Sequence, residues 1–277
     1  MKALRLTFAI LALGSARVDA QGTGSQANLI LSLFGGVAAG HSLWAVGQQP
    51  LCVFGPQVGG VFTCIPNRYD TLSLTRAVTS SIVAGAAATY FPSPHLGYTL
   101  ELYYLGQSYD DTCHGLYFDS TDANQVNAQA CGSVTGSEPS SGAIGLIGGV
   151  MYRLSPTATV SPYVRGGFGI LAYSGGTIAM AGDFVEDTAI YNRPIYVDDN
   201  PKTTSLAFQA AAGLTVRTSP GYQLRFEVRD AIAELSYVTG PSPGDKLVPP
   251  TATKWFHNVV LTVGLDVVLE QKRGRRY

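Results

Sequence analysis

The chain has 277 residues, of which 46% are hydrophobic and only 13% are charged. Soluble domains usually carry about 25% charged residues, so a surface this poor in charge indicates that something other than water covers part of it. The formal net charge of −1 gives no reason to expect a nucleic-acid partner.

The first twenty residues have the features of a secretory signal. Lys2 and Arg5 precede a short apolar segment, which is followed by a cleavage point after Ala20. The apolar segment is too short to cross a membrane as a helix. We therefore expect residues 1–20 to be removed and residues 21–277 to form one exported domain.

After the signal, apolar and polar side chains alternate in stretches of about ten residues, a pattern typical of membrane β-barrel strands. Between 98 and 108, for example, Tyr98, Leu100 and Leu102 alternate with Thr99 and Glu101. Successive side chains of a strand point to opposite faces, so each stretch has one apolar face. The eight predicted strands are 29–36, 81–90, 98–108, 142–153, 160–173, 203–217, 222–230 and 256–269. The faces of the first two cannot be assigned, because both are rich in Ala, Gly and aliphatic residues.

Short and long connections alternate between these strands. The short ones are turns with proline, at 91–95, 155–159 and 218–221, and the long ones are 37–80, 109–141, 174–202 and 231–255. Short periplasmic turns and long extracellular loops alternate in this way in a barrel whose termini both lie in the periplasm. The sequence therefore predicts an all-β fold, an eight-stranded antiparallel transmembrane up-and-down β-barrel. A water-soluble barrel is the alternative.

Aromatic residues are placed near both ends of the predicted strands. At the short-turn ends they are Tyr90, Phe91, Tyr98, Tyr152 and Tyr222, and at the long-loop ends Tyr104, Tyr173 and Trp255. Aromatic girdles of this kind lie at the two lipid–water interfaces of membrane proteins.

Four cysteines occur in two close pairs. Export implies an oxidising compartment, which favours disulfides, and four cysteines allow three connectivities. We predict Cys52–Cys64 and Cys113–Cys131, because each pair falls inside one predicted loop. The close spacing of a zinc site, such as C-x₂-C, is absent.

Three segments, 162–169, 224–230 and 257–265, resemble small bacterial outer-membrane barrel proteins of the OmpA-barrel, OmpX and OmpW type. The resemblance implies an outer-membrane location, with membrane lipid, lipopolysaccharide and the barrel-assembly machinery as partners. OmpW-like proteins would imply a narrow channel. The chain departs from the family at its end, where a short basic tail, 270–277, follows the last predicted strand.

Ionisable residues are predicted on the inward faces, where an eight-stranded interior has room only for side chains. They are Glu101, Arg153, Arg165, Arg217, Arg225, Glu227, Arg229 and Asp266. Buried charges must be paired, so we expect a polar network of Glu101, Arg165, Arg225, Glu227, Arg229 and Asp266. Such a network would fill the interior; the alternative is a gate or a narrow ion path.

Catalytic, metal and cofactor sites are not expected. His41, His95, His114 and His257 are the histidines, and His257 lacks the nearby serine of a lipid-modifying enzyme. Motifs for zinc, nucleotide or hydrolase chemistry are absent. The acidic residues Asp183, Glu186, Asp187, Asp198 and Asp199 of the third long connection lack the spacing of a calcium loop and fit a solvated loop.

The first long connection is unusually apolar for a loop, with Leu43, Trp44, Val46, Leu51, Val53, Phe54, Val58, Val61 and Phe62 around the first cysteine pair. It could fold over the barrel mouth as a plug or form a contact surface. The sequence favours a structural and surface-interaction role with loop-mediated binding of an extracellular ligand. The alternatives are a channel for ions or small apolar solutes and, third, a lipid A-modifying enzyme.

Overall fold

The computed structural model describes residues 28–55, 57, 61–122, 124–135, 140–244 and 246–269. The predicted signal, residues 1–20, the basic tail, residues 270–277, and Val58 lie outside the described residues. The described part consists of antiparallel strands with one nine-residue helix, so the all-β prediction is confirmed. Its helix is too short to reach across a bilayer, and none of the described segments forms an apolar helix of that length.

Eight strands lie where the sequence predicts them, and most are longer than predicted. They are β1 (Asn28–Ala38), β4 (Ser81–Phe91), β5 (Leu96–Tyr117), β6 (Ser140–Arg153), β7 (Val160–Tyr173), β10 (Thr204–Ser219), β11 (Tyr222–Val238) and β12 (Thr251–Leu269). The remaining elements are β2 (His41–Phe54), β3 (Cys64–Val78), α1 (Val126–Val134), β8 (Met180–Glu186) and β9 (Ala189–Tyr196).

The eight predicted strands pair in sequence around one sheet, in the order β5-β4-β1-β12-β11-β10-β7-β6. β6 also pairs with β5, from Leu96↔Tyr152 to Ser108↔Ser140. Following the antiparallel pairings from β5 through all eight strands therefore returns to β5. We call these eight the ring strands.

Strict alternation of burial gives each ring strand one inward and one outward face. In β11, Arg225, Glu227 and Arg229 are buried while the residues between them are exposed. The same alternation assigns the faces of β1 that the sequence left open: Ile30 and Ser32 are buried, and their neighbours are exposed. The pattern of β1 was ambiguous because both of its faces carry apolar side chains.

Three of the four long connections contain hairpins, a helix or strand extensions, which corrects the prediction of loops there, whereas the described residues of 239–250 are irregular. Within 37–80, β2 and β3 form an antiparallel hairpin, and β3 pairs with β5 beyond the ring. Within 174–202, β8 and β9 form a second hairpin, on which α1 packs. β5 supplies the edge for this layer because it runs 22 residues. We call β2, β3, α1, β8, β9, the end of β5 beyond Ser108 and the 239–250 connection the cap.

One hydrophobic core runs from the cap into the upper interior of the ring. Leu43, Trp44 and Leu72 of the cap belong to the same buried cluster as Tyr103 and Leu171 of the ring. The indole of Trp44 donates a hydrogen bond of 3.1 Å to the carbonyl oxygen of Thr177. A second, smaller cluster of Ile30, Phe91, Met151 and Tyr163 lies at the short-turn end.

Two of the predicted girdle residues point inward instead. Phe91 is 2% exposed and Tyr173 is 9% exposed, because each stands on the face of its strand opposite to the outward residues. The other six predicted girdle residues are exposed: Tyr90, Tyr98, Tyr104, Tyr152, Tyr222 and Trp255.

Candidate functional site

The centre of the ring interior holds a group of four charged side chains from three strands, β5, β7 and β11. Arg165 of β7 donates to Glu101 of β5 at 2.5 Å and to Glu227 of β11 at 2.7 Å. Arg229 donates to the other oxygen of Glu101, and its Nε lies 3.1 Å from Glu227 Oε1. Glu101, fully buried, therefore accepts hydrogen bonds from two guanidinium groups.

A second group adjoins the first on the short-turn side. Arg225 Nη2 lies 3.1 Å from Asp266 Oδ2 and donates to the hydroxyl of Ser32 at 2.8 Å. Tyr163 joins the two groups, because its hydroxyl donates to Glu227 at 2.8 Å and its ring lies 5.8 Å from the Arg225 guanidinium. Sequence reasoning missed Ser32 and Tyr163. The alternation in the sequence already places Tyr163 on the inward face of its strand. The inward position of Ser32 follows only from its pairing opposite Asp266.

The six charges of these groups balance. Three carboxylates (Glu101, Glu227 and Asp266) face three guanidinium groups (Arg165, Arg225 and Arg229), and all six residues are buried. Aromatic rings close the remaining space: the Arg229 guanidinium lies 4.7 Å from the centre of the Phe34 ring. The cavity beside Glu101 and Arg165 has a volume of about 10 Å³, room for about one water molecule.

The other two predicted inward arginines lie apart from this network. Arg153 is buried at the short-turn end of β6, with its guanidinium 3.9 Å from the centre of the Phe91 ring. Arg217 is exposed near the end of β10. Among the described residues, neither side chain forms an ion pair or a hydrogen bond.

Two disulfides fasten the cap, with the predicted pairing. Cys52 is bonded to Cys64, which closes the β2–β3 hairpin near its tip. Cys113 is bonded to Cys131, which fastens α1 to β5. The apolar first connection is therefore an ordered hairpin of the cap.

A buried polar cluster joins the two hairpins and α1. Asp70 accepts hydrogen bonds from the amide of Asp119 at 2.7 Å and from Asn127 at 2.9 Å. Burial raises the pKa of the Asp70 carboxyl, and these hydrogen bonds oppose that effect. Arg193 donates to the carbonyl oxygen of Cys52 at 3.0 Å and lies over the Phe54 ring. Burial lowers the pKa of Arg193 to about 10, so it stays charged at neutral pH.

The histidines do not assemble a catalytic group in the described structure. His257 Nδ1 lies 2.7 Å from Asp230 Oδ2 on the outer surface, and no described serine hydroxyl bonds to His257. His95 Nδ1 lies 2.8 Å from the carbonyl oxygen of Arg153, His114 is exposed, and both ring nitrogens of His41 are buried without a partner.

The acidic residues of the third long connection do not converge either. Asp183 accepts a hydrogen bond from Asn192, and Glu186 accepts one from Asn124. Across the described residues, no three His, Cys, Asp or Glu side chains come together in a way that could hold a metal ion.

No protein-family model matches the chain, and neither does any curated protein. Among solved structures, it is similar to the outer membrane protein OprG from Pseudomonas aeruginosa, with 11% identity, a TM-score of 0.47 and coverage of 90% of this chain and 99% of OprG. It is also similar to the outer membrane protein AlkL (16% identity, TM-score 0.37, 92% and 96% covered) and to Neisserial surface protein A (8% identity, TM-score 0.37, 87% and 96% covered). The chain thus resembles small outer-membrane β-barrel proteins, although the likeness is distant.

Proposed function

We propose that the chain is an integral outer-membrane protein whose ring strands form a closed, eight-stranded transmembrane β-barrel. The observation that carries this proposal is the outward face of the ring, which exposes large apolar side chains from every ring strand. They include Leu31, Leu33, Ile82, Leu100, Leu102, Ile144, Leu146, Val164, Phe168, Leu206, Phe208, Phe226, Val228, Leu261 and Val263. A soluble monomer rarely exposes a continuous apolar surface of this kind, whereas hydrocarbon tails solvate it.

The two ends of the ring support one orientation in the membrane. At one end the strands are joined by the short segments 92–95, 154–159 and 220–221, while the opposite end carries the cap. Outer-membrane barrels have short periplasmic turns and longer extracellular segments. We therefore place the cap on the cell surface, and the exposed tyrosines Tyr90, Tyr98 and Tyr222 at the periplasmic lipid interface.

The filled interior favours a structural and surface-interaction role over conduction. A pore needs a continuous path, but the charged network and the hydrophobic core above it occupy the described interior. Planar-bilayer recordings of the purified mature protein should therefore show no unitary conductance above the background of the detergent. Stable single-channel steps, changed in size by Glu101→Gln, would instead make the network a gate.

The cap offers a surface for an extracellular ligand. Leu116, Tyr117 and Phe118, at the outer end of β5, are exposed apolar residues beyond the membrane belt, and Ile190 is exposed at the tip of the second hairpin. Exposed apolar patches of this kind often mark interaction sites. Cells that display the protein should bind lipid vesicles or matrix-coated surfaces more strongly than cells with the Leu116→Ser, Tyr117→Ser double variant. Equal binding at equal surface expression would contradict a role for this surface.

A non-enzymatic role is part of the proposal. The His257–Asp230 pair is the arrangement closest to a catalytic base, but nucleophilic catalysis also needs a nucleophile within hydrogen-bond reach of that base. Mass spectra of lipid A from cells with and without the protein should therefore be identical. A change in acylation that His257→Gln abolishes would show an enzyme instead.

A further inference from the structure

The short-turn mouth of the ring contains an open cavity of about 570 Å³, which lies within the size range of small-molecule sites. Arg153, Arg217 and Gln223 project into it, together with the turn residues Thr218 and Ser219. The apolar residues Ile30 and Val268 also line it, with residues of the short connections. The cavity lies on the inner side of the ring, since its strand residues belong to the inward faces.

Neither arginine of this cavity forms an ion pair among the described residues, although Asp266 is close enough to act electrostatically on Arg153. The nearest carboxylate of the network, Asp266, is already paired with Arg225. Because the six network charges balance, Arg153 and Arg217 leave an excess of two positive charges at the mouth. The side chain of Arg153 is 8% exposed, and its Nε has no hydrogen-bond partner. A buried guanidinium left unpaired costs free energy that an anionic ligand would recover.

The Arg153 guanidinium is held in place without using its hydrogen-bonding groups. It stacks over the Phe91 ring at 3.9 Å, and Phe91 is itself buried in the lower hydrophobic cluster. Stacking fixes the plane of the guanidinium and leaves its N–H groups free to donate.

We infer that this mouth is an anion-binding site that takes a phosphate or carboxylate group, with Arg153 and Arg217 as its ligands. Guanidinium groups donate two parallel hydrogen bonds to such oxyanions, and the hydroxyl of Ser219 can supply a further donor. The site depends on the proposed membrane function only for the compartment that it faces, which would be the periplasm. Its position at the mouth of the ring favours a dissolved oxyanion over a lipid headgroup.

The test is calorimetric titration of the mature protein in detergent micelles with inorganic phosphate, at neutral pH and constant ionic strength. Wild-type protein should bind one phosphate saturably, and Arg217→Gln should weaken binding by about tenfold or more, as expected for loss of a charge-assisted hydrogen bond. Arg217 is exposed, so this variant should fold. Arg153→Gln should weaken binding at least as much. Arg68→Gln, which removes an arginine from the opposite end of the molecule, is the matched control and should bind like wild type.

Absence of saturable binding, or equal affinity in wild type and Arg217→Gln, would overturn the inference. Titration with acetate separates carboxylate from phosphate recognition. Nanodiscs with and without phosphatidylglycerol separate the sources: competition with phosphate would assign the site to a lipid headgroup, and its absence to a dissolved anion. Neither result depends on whether the protein conducts ions.

Discussion

Glu101 is the residue on which the interior network depends most, because it accepts hydrogen bonds from both Arg165 and Arg229. The substitution Glu101→Gln keeps the shape of the side chain but removes its charge, which leaves an uncompensated guanidinium in the interior. We expect the free energy of unfolding to fall by about 3–5 kcal/mol, the usual cost of breaking a buried ion pair. The measurement is urea unfolding in lipid vesicles, in which the folded fraction is read from the heat-modifiable mobility of the folded ring on a gel.

Glu234→Gln is the matched control for this substitution. Glu234 pairs with Lys202 at 2.5 Å, but both side chains are about 30% exposed. Partly exposed pairs are screened by water, so this variant should lose much less stability than Glu101→Gln. Similar losses in the two variants would mean that the interior is hydrated and that the network is not packed.

The burial of His41 leads us to expect that the stability of the cap depends on pH. Its ring packs 5.5 Å from the Phe256 ring, both of its nitrogens are buried without a partner, and burial lowers its pKa below 6.5. Below pH 6.5 the unfolded chain therefore takes up a proton that the folded chain resists, and the free energy of unfolding decreases as the pH falls toward the lowered folded pKa.

Limited proteolysis of the cap between pH 7.5 and pH 5 checks this expectation. Wild-type cap should be cleaved faster at the lower pH, whereas His41→Phe, which keeps the aromatic packing, should lose much of that dependence. His114→Gln changes an exposed histidine and should behave as wild type does. An unchanged pH dependence in His41→Phe would assign the effect to other groups.

At the scale of elements, the two disulfides hold parts of the cap that the ring does not need. Cys52–Cys64 closes a segment of 12 residues near the tip of the first hairpin. Replacing both cysteines with serine releases this loop in the unfolded chain and should cost about 3 kcal/mol of local stability. We expect protease to cleave between 55 and 63 in this variant, while the ring keeps its heat-modifiable mobility.

The Cys113→Ser, Cys131→Ser variant is the control, since it frees α1 from β5. Its cleavage should move to the segment around α1, with 55–63 still protected. If both variants instead lose the folded ring, the cap and the ring unfold as one unit, and the division drawn here between them is wrong.

Six ring strands could be predicted together with their faces because their apolar and polar residues alternate with a period of two, whereas β1 and β4 could be predicted only as strands. The cap could not be predicted. Its hairpins bury side chains on an edge, the long β5. The extension of β5 beyond Ser108 carries Asp110, Asp111 and His114, which interrupt the apolar alternation. Asp111 tolerates its position because Arg76 donates two hydrogen bonds to it, each 2.6 Å long, a contact between residues 35 apart that no local pattern shows.

The interior network could be predicted only in part, because the alternation along a strand shows which face a side chain is on and nothing more. The alternation predicted eight inward ionisable residues and a network of six of them, but it could not predict the individual pairs. The ring brings Glu101 of β5 beside Arg165 of β7 and Arg229 of β11, strands that do not all neighbour one another in the sheet. Such contacts cross the interior between strands that are not paired. They therefore depend on which strands lie opposite each other in the ring, which the pairing of neighbouring strands does not show.

For the whole molecule, the decisive question is which solvent surrounds the ring, and β5 contains a matched pair of sites that answers it. Leu102 and Leu116 lie on this one strand with nearly equal exposure, 55% and 56%, but Leu102 stands between Tyr98 and Tyr104 in the proposed membrane belt and Leu116 stands in the cap. An arginine near the bilayer midplane costs an outer-membrane barrel about 2–4 kcal/mol. Leu102→Arg should therefore destabilise the protein folded in lipid vesicles by about that amount, and Leu116→Arg should leave its stability nearly unchanged. In a water-solvated ring the two substitutions would be equally harmless, so equal folding into vesicles would refute the membrane assignment, whatever the comparison with other barrels suggests.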